Sequence, residues 1–134
     1  EDAEKYAEGV GTAKVVAEAG SAGEELATTS EDFATAEFTP VQSMATALME
    51  VKSGTADIAI IDYVMAGSST GEGTDFADLS IVDNGYESEE YGIAFRKGSD
   101  VTAEVNAAIT KLMEDGTLTA IANKYGLTEI LIAK

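Results

Sequence analysis

Lys14-Val-Val-Ala-Glu18 runs straight into Ala19-Gly-Ser-Ala-Gly-Glu24. The first five residues are a short apolar run, which reads as a strand. Gly20 supplies a turn, and Ser21-Ala-Gly-Glu24 has the S-x-x-E spacing of a capping box, so a helix opens toward Leu26. A strand, a small-residue turn and a capped helix make the opening half of a strand–helix–strand unit. The rest of the chain repeats the alternation. Ala36-Glu-Phe-Thr39 reads as a second strand. Thr39-Pro40-Val-Gln42 reads as a helix start, with Thr as N-cap and Pro at the first helical position. Val41, Met44, Ala45, Leu48 and Val51 follow at helical spacing, and Gly54 ends the helix.

Asp57-Ile-Ala-Ile-Ile61 is a continuous apolar run, the pattern of a strand buried on both faces. Leu79-Ser-Ile-Val82 and Tyr91-Gly-Ile-Ala-Phe95 read as two further strands. Gly67-Ser-Ser-Thr-Gly-Glu-Gly-Thr74 between them is loop-like. Val101, Val105, Ile109 and Leu112 then recur on one face of a helix that Gly116 ends. Thr117 can cap a second short helix carrying Leu118, Ile121 and Tyr125, ended by Gly126. The expected fold class is therefore α/β, a mostly parallel open sheet flanked by helices, followed by a C-terminal helical segment.

Composition narrows the function. The chain has 134 residues and a formal net charge of −17, which disfavours nucleic acid and anionic membranes as partners. It has no Cys, hence no disulfide or thiol chemistry, and no His, hence no imidazole acid–base catalysis or His-ligated metal. The charge is uneven. Residues 1–90 hold 20 acids and 3 bases, whereas residues 91–134 hold 5 of each. The change follows Glu87-Ser88-Glu89-Glu90, and a segment boundary is expected at 88–91. The other acids, Asp75, Asp78 and Glu89 among them, have no spacing that argues for a calcium loop or paired-carboxylate catalysis.

Ligands of open α/β sheets bind at the carboxyl ends of the strands. Two such ends are informative. The turn of Gly20, Ser21, Ala22 and Gly23 exposes backbone N–H groups at a helix N-terminus, suited to a carboxylate or phosphate, or it is a structural turn. Asp62 follows the buried run and either holds an ammonium, metal or phosphoryl group, or caps the next helix.

In order along the chain stand the 14–24 stretch, Gly54-Thr-Ala-Asp-Ile-Ala-Ile-Ile-Asp62, Glu90-Tyr-Gly-Ile-Ala-Phe-Arg-Lys-Gly-Ser99, Val105-Asn-Ala-Ala-Ile, Asp115-Gly-Thr-Leu and Lys124-Tyr-Gly126. This order resembles the amino-acid-binding solute receptors of ABC importers, the bacterial extracellular solute-binding proteins of family 3 with the type 2 periplasmic-binding fold. The resemblance implies a two-lobed protein that closes on its ligand. Residues 1–90 would be the second lobe, and 91–134 the return strand and helices that belong with the first. Most of the first lobe would then be missing, so the chain is expected to be a fragment, beginning at Glu1 with its natural N-terminus and signal sequence removed.

The resemblance places the ligand's α-carboxylate on the turn matching Gly20, Ser21, Ala22 and Gly23. A Thr or Ser is frequent in the family at the position of Ala22, where this chain offers only a backbone N–H. The α-ammonium would be held by Asp62, and Glu18 matches a pocket position that varies with ligand. The implied ligand is an amino acid or similar small polar zwitterion, and the implied partner is the ABC transporter membrane permease. The location would be extracytoplasmic, in a periplasm or as a cell-surface lipoprotein. No cofactor, metal or catalytic residue is implied, and self-association of a truncated chain is an open expectation. An alternative is a response-regulator receiver domain with Asp62 as phospho-acceptor, for which Asp62-Tyr-Val-Met65 follows a candidate acceptor strand. Glu18-Ala19-Gly20 does not supply the acidic pair that a receiver needs for magnesium. An enzyme on the binding-protein fold lacks a convincing acid–base pair here.

Overall fold

The computed structural model describes residues 5–6, 9–82, 85–86 and 90–132. The chain divides into two compact units, Glu1–Tyr86 and Glu87–Lys134. The boundary expected at 88–91 and the acidic run before it fall largely on residues 87–89, outside the described residues.

The first unit is a three-stranded sheet with strands β1 (Lys14–Glu18), β2 (Glu37–Val41) and β3 (Ile58–Ile60). Their order is β2-β1-β3, and both pairings are parallel. Parallel neighbours cannot be joined by a hairpin, so helices cross over between them. These are α1 (Ala22–Thr29) and α2 (Met44–Ser53), and α3 (Tyr63–Thr70) follows β3. Side chains alternate along β1, which decides where the helices lie. Val15 packs in a cluster with Ala27 of α1 and Phe33, whereas Val16 packs with Ala47 of α2 and Ala56. The two helices therefore cover opposite faces. Val15, Val16 and Ala17 are buried between them, as the central strand of a parallel sheet should be. The apolar run at 57–61 proves only half-buried, because β3 is an edge strand and not an enclosed one.

Local chemistry fixes the ends of these elements. Asp57 clamps β3 to β1 twice. Its backbone N–H donates to the Lys14 carbonyl at 2.8 Å, and its carboxylate accepts from the Lys14 N–H at 2.8 Å. Gly54 ends α2 in the left-handed region at φ 77°, which costs glycine least.

The helix start expected at Thr39 and Pro40 is not there. β2 continues through Pro40 to Val41, and α2 begins at Met44, capped by Ser43 Oγ, which accepts from the Thr46 N–H at 3.1 Å. Geometry explains the correction. The Glu37 N–H donates to Ala13, and the Val41 carbonyl accepts from Ala19, so residues 37 and 41 face β1. By the period of two, Pro40 faces the outer edge, where its missing N–H breaks no ladder bond.

The strands expected at Leu79–Val82 and Tyr91–Phe95 are also absent as strands. Both stretches are irregular backbone, and Tyr91 and Ile93 are strongly exposed. Strand-like composition alone does not make a strand without a partner to bond.

The second unit contains α4 (Val101–Glu114) and α5 (Thr117–Tyr125), which pack on each other. Gly116 at φ 79° reverses the chain between them, and Gly126 ends α5 at φ 70°. Thr117 is the first helical residue and not the cap. Its N–H donates to Asp115 Oδ1 at 2.9 Å. No helix among the described residues is long and apolar enough to cross a membrane.

Three expected outcomes test this reading. A Cβ at Gly23 would stand 2.9 Å from the Ile60 carbonyl oxygen and 3.3 Å from the Ala17 Cβ. Gly23→Ala should therefore cost about 1–3 kcal/mol in urea unfolding. Gly67 in α3 has open space around it, so Gly67→Ala should instead gain about 0.5–1 kcal/mol. The Thr117 hydroxyl, then the Thr117 N–H, hold the Asp115 carboxyl below the ordinary Asp range. A depressed folded pKa gives stability that is present above the unfolded pKa and is lost as pH falls through the folded one. Carboxyl NMR should show Asp115 titrating low, and Thr117→Ala should move it part of the way back.

Candidate functional site

The strand order β2-β1-β3 sends the chain to one face after β1 and returns it over the other face to β3. The carboxyl ends of β1 and β3 thus flank a topological switch point, the usual crevice of an open α/β sheet. Glu18 closes β1 and Asp62 lies just beyond β3, so both sequence-predicted carboxylates stand at this place. The turn at 20–23 stands there too, because the first turn of α1 is seated on the strand ends through Gly23.

Gly20 takes the left-handed conformation at φ 76°. Its N–H donates to the carboxylate of Glu24, and the Ser21 N–H donates to the Glu18 carbonyl at 3.2 Å. Ser21 is the N-cap of α1, and its Oγ accepts from the Glu24 N–H at 3.2 Å. Ala22 and Gly23 open the helix. As first-turn residues they have no acceptor inside it, so their N–H groups are the donors left for an anion. Ala22 is exposed and Gly23 half-buried.

Glu18 is half-buried, and its Oε2 accepts from the Met44 N–H at 3.2 Å, tying the end of β1 to the start of α2. Asp62 is half-buried and is the N-cap of α3, with Oδ1 accepting from the Met65 N–H at 2.9 Å. The capping reading of Asp62 is thus realised, and it fixes the carboxylate in one orientation. Tyr63 beside it is well exposed.

This end of the sheet therefore carries Glu18 and Asp62, each bonded to its own helix start, and the amide end of α1, where Glu24 bonds the Gly20 N–H. It can accept hydrogen bonds from an ammonium and donate to a carboxylate. Glu24 is the member that sequence reasoning placed differently. A capping-box Glu reaches back to the N-cap amide, but here it reaches one residue further, to Gly20. The Ser43 cap and the Glu18–Met44 bond were equally missed. The S-x-x-T spacing of Ser43 and Thr46 was the available signal for the first.

Two open clefts lie away from these residues. One runs along the α2 face of the sheet past Lys14, Val16, Glu37, Thr39 and Glu50. The other sits in the loop of Ser68, Ser69, Thr74 and Phe76. Lys52 anchors that loop, donating to the Asp75 carbonyl and pairing with Asp78 at 3.6 Å. Among the described residues, no group of three or more acidic side chains could hold a metal ion.

Comparison with protein-family models, with curated proteins and with solved structures returned no match in any of the three. The reading of the site rests on its own geometry.

The double duty of Asp62 can be separated. Asp62→Ala should destabilise the chain by about 1 kcal/mol through loss of the cap. Asp62→Ser should restore the cap and most of that stability while leaving no carboxylate, as measured by thermal unfolding.

Proposed function

We propose that this chain is a solute-binding component of an ABC importer that takes an amino acid or similar small zwitterion, with residues 1–90 as one lobe of a type 2 periplasmic-binding fold. Residues 91–134 are the segment that returns to the other lobe, and the protein works outside the cytoplasm with a membrane permease as partner. One observation carries the reading. Gly23 is seated on Ile60 and Ala17, which brings the amide end of α1 to the same strand ends as Asp62.

The chemistry follows from that juxtaposition. A zwitterion needs donors for its carboxylate and an acceptor for its ammonium. The Ala22 and Gly23 amides supply the donors at the positive end of a helix dipole. Asp62, and Glu18 at the neighbouring strand end, supply charged acceptors, which make the stronger kind of hydrogen bond. Closure of a second lobe expels water and strengthens each contact. A single lobe offers only part of this set, so this chain alone binds weakly.

The test is an NMR amide titration of the whole chain with pooled amino acids, then with magnesium and a phosphoryl analogue. Amino acids should shift the amides of residues 20–24 and of Asp62 and its neighbours, and Asp62→Ser should abolish the effect. Shifts at Asp62 with magnesium and the phosphoryl analogue alone would overturn the reading in favour of a receiver. Submicromolar affinity for an amino acid would overturn the need for a second lobe.

A further inference from the structure

We propose that Lys52 is a positioning residue for Asp62, acting along α3 from its far end. The inference rests on the proposed role of Asp62 as the ligand's acceptor, and it adds the side chain that keeps that acceptor aimed. Asp62 Oδ1 accepts from the Met65 N–H at 2.9 Å, so the carboxylate points where the first turn of α3 puts it. What holds α3 therefore holds Asp62.

Little of α3 is held by packing. Every other strand and α-helix of the first unit packs against at least two neighbours, whereas α3 packs closely against none. Ala66 is its one buried residue. Its eight residues are too few for a helix to be stable alone. The helix stops at Gly71 in extended backbone, without the left-handed turn that closes α2.

The chain beyond Gly71 supplies the support. Thr74 folds back on the helix end. Its N–H donates to the Gly71 carbonyl at 3.1 Å, and its hydroxyl lies against the Ser69 and Gly71 carbonyls. The residues that follow close on Lys52, in the last turn of α2. The Lys52 ammonium donates to the Asp75 carbonyl, pairs with the Asp78 carboxylate at 3.6 Å and lies 5.6 Å from the centre of the Phe76 ring. A carbonyl, a carboxylate and a ring face all attract an ammonium. α2 is itself packed on β1 and β3, so this latch ties the far end of α3 to the fixed part of the sheet. Residues 1–90 hold only three bases, Lys5, Lys14 and Lys52, and one of them is spent here. Releasing the latch lets α3 pivot about Asp62, which turns the Met65 amide and the carboxylate with it.

The test uses amide NMR of the whole chain. Lys52→Met should shift the Met65 amide and speed its hydrogen exchange, while the amides of Val16 and Ala59 in the sheet stay unchanged. Amino-acid binding should weaken about three- to tenfold. Lys52→Arg keeps the charge and the ring contact, so it should restore both. A Met65 amide or an affinity unmoved by Lys52→Met would overturn the proposal, as would a Lys52→Arg chain equally impaired. Shifts spread evenly over the sheet would also overturn it, because they report general loosening. A wild-type chain that binds no amino acid would sink the solute-receptor function instead, and the Met65 amide would still decide whether Lys52 positions Asp62.

Discussion

The parallel pairing of β1 with a neighbour on each side is the constraint from which the first unit follows. Parallel ladders require crossovers, crossovers require helices, and a central strand between two such helices must be apolar on both faces. Val15, Val16 and Ala17 meet that requirement. The same constraint aligns the carboxyl ends of all three strands, and with them the amino ends of α1, α2 and α3. The site is thus a by-product of the fold. Polar caps collect where helix dipoles collect, and Glu18, Ser43 and Asp62 each accept from a backbone N–H at one of those helix starts.

Much of this arrangement was legible in the sequence where the signals are local. Ser21 and Glu24 announce α1, Gly54 and Gly126 stop their helices, and the run before Asp62 locates the end of β3. The failures share a different cause. Thr39-Pro40 looks the same at a helix start and on an outer sheet edge, because both positions tolerate a missing N–H. Only the neighbour in space decides. The segments at 79–82 and 91–95 have strand-like side chains, but pairing is a property of two segments, and the second one cannot be read from the first.

The site shows the same division. The positions of Glu18, Asp62 and the 20–23 turn follow from where strands end, which periodicity reveals. Which amide each carboxylate accepts from depends on loop curvature at single-residue precision. The left-handed Gly20 turns its N–H toward Glu24, and that detail has no counterpart in the spacing of residue types.

Pro40 has a consequence beyond the element it belongs to. It removes a donor from the outward side of β2, so that side is a poor template for another strand. The sheet is therefore asymmetric in its capacity to grow. Extension is disfavoured past β2 and left to β3, the strand that carries Asp62 at its end. Any strand recruited to enlarge this sheet, from within a longer polypeptide or from outside it, would arrive on the candidate site's side and deepen that end of the crevice while the opposite margin stays closed.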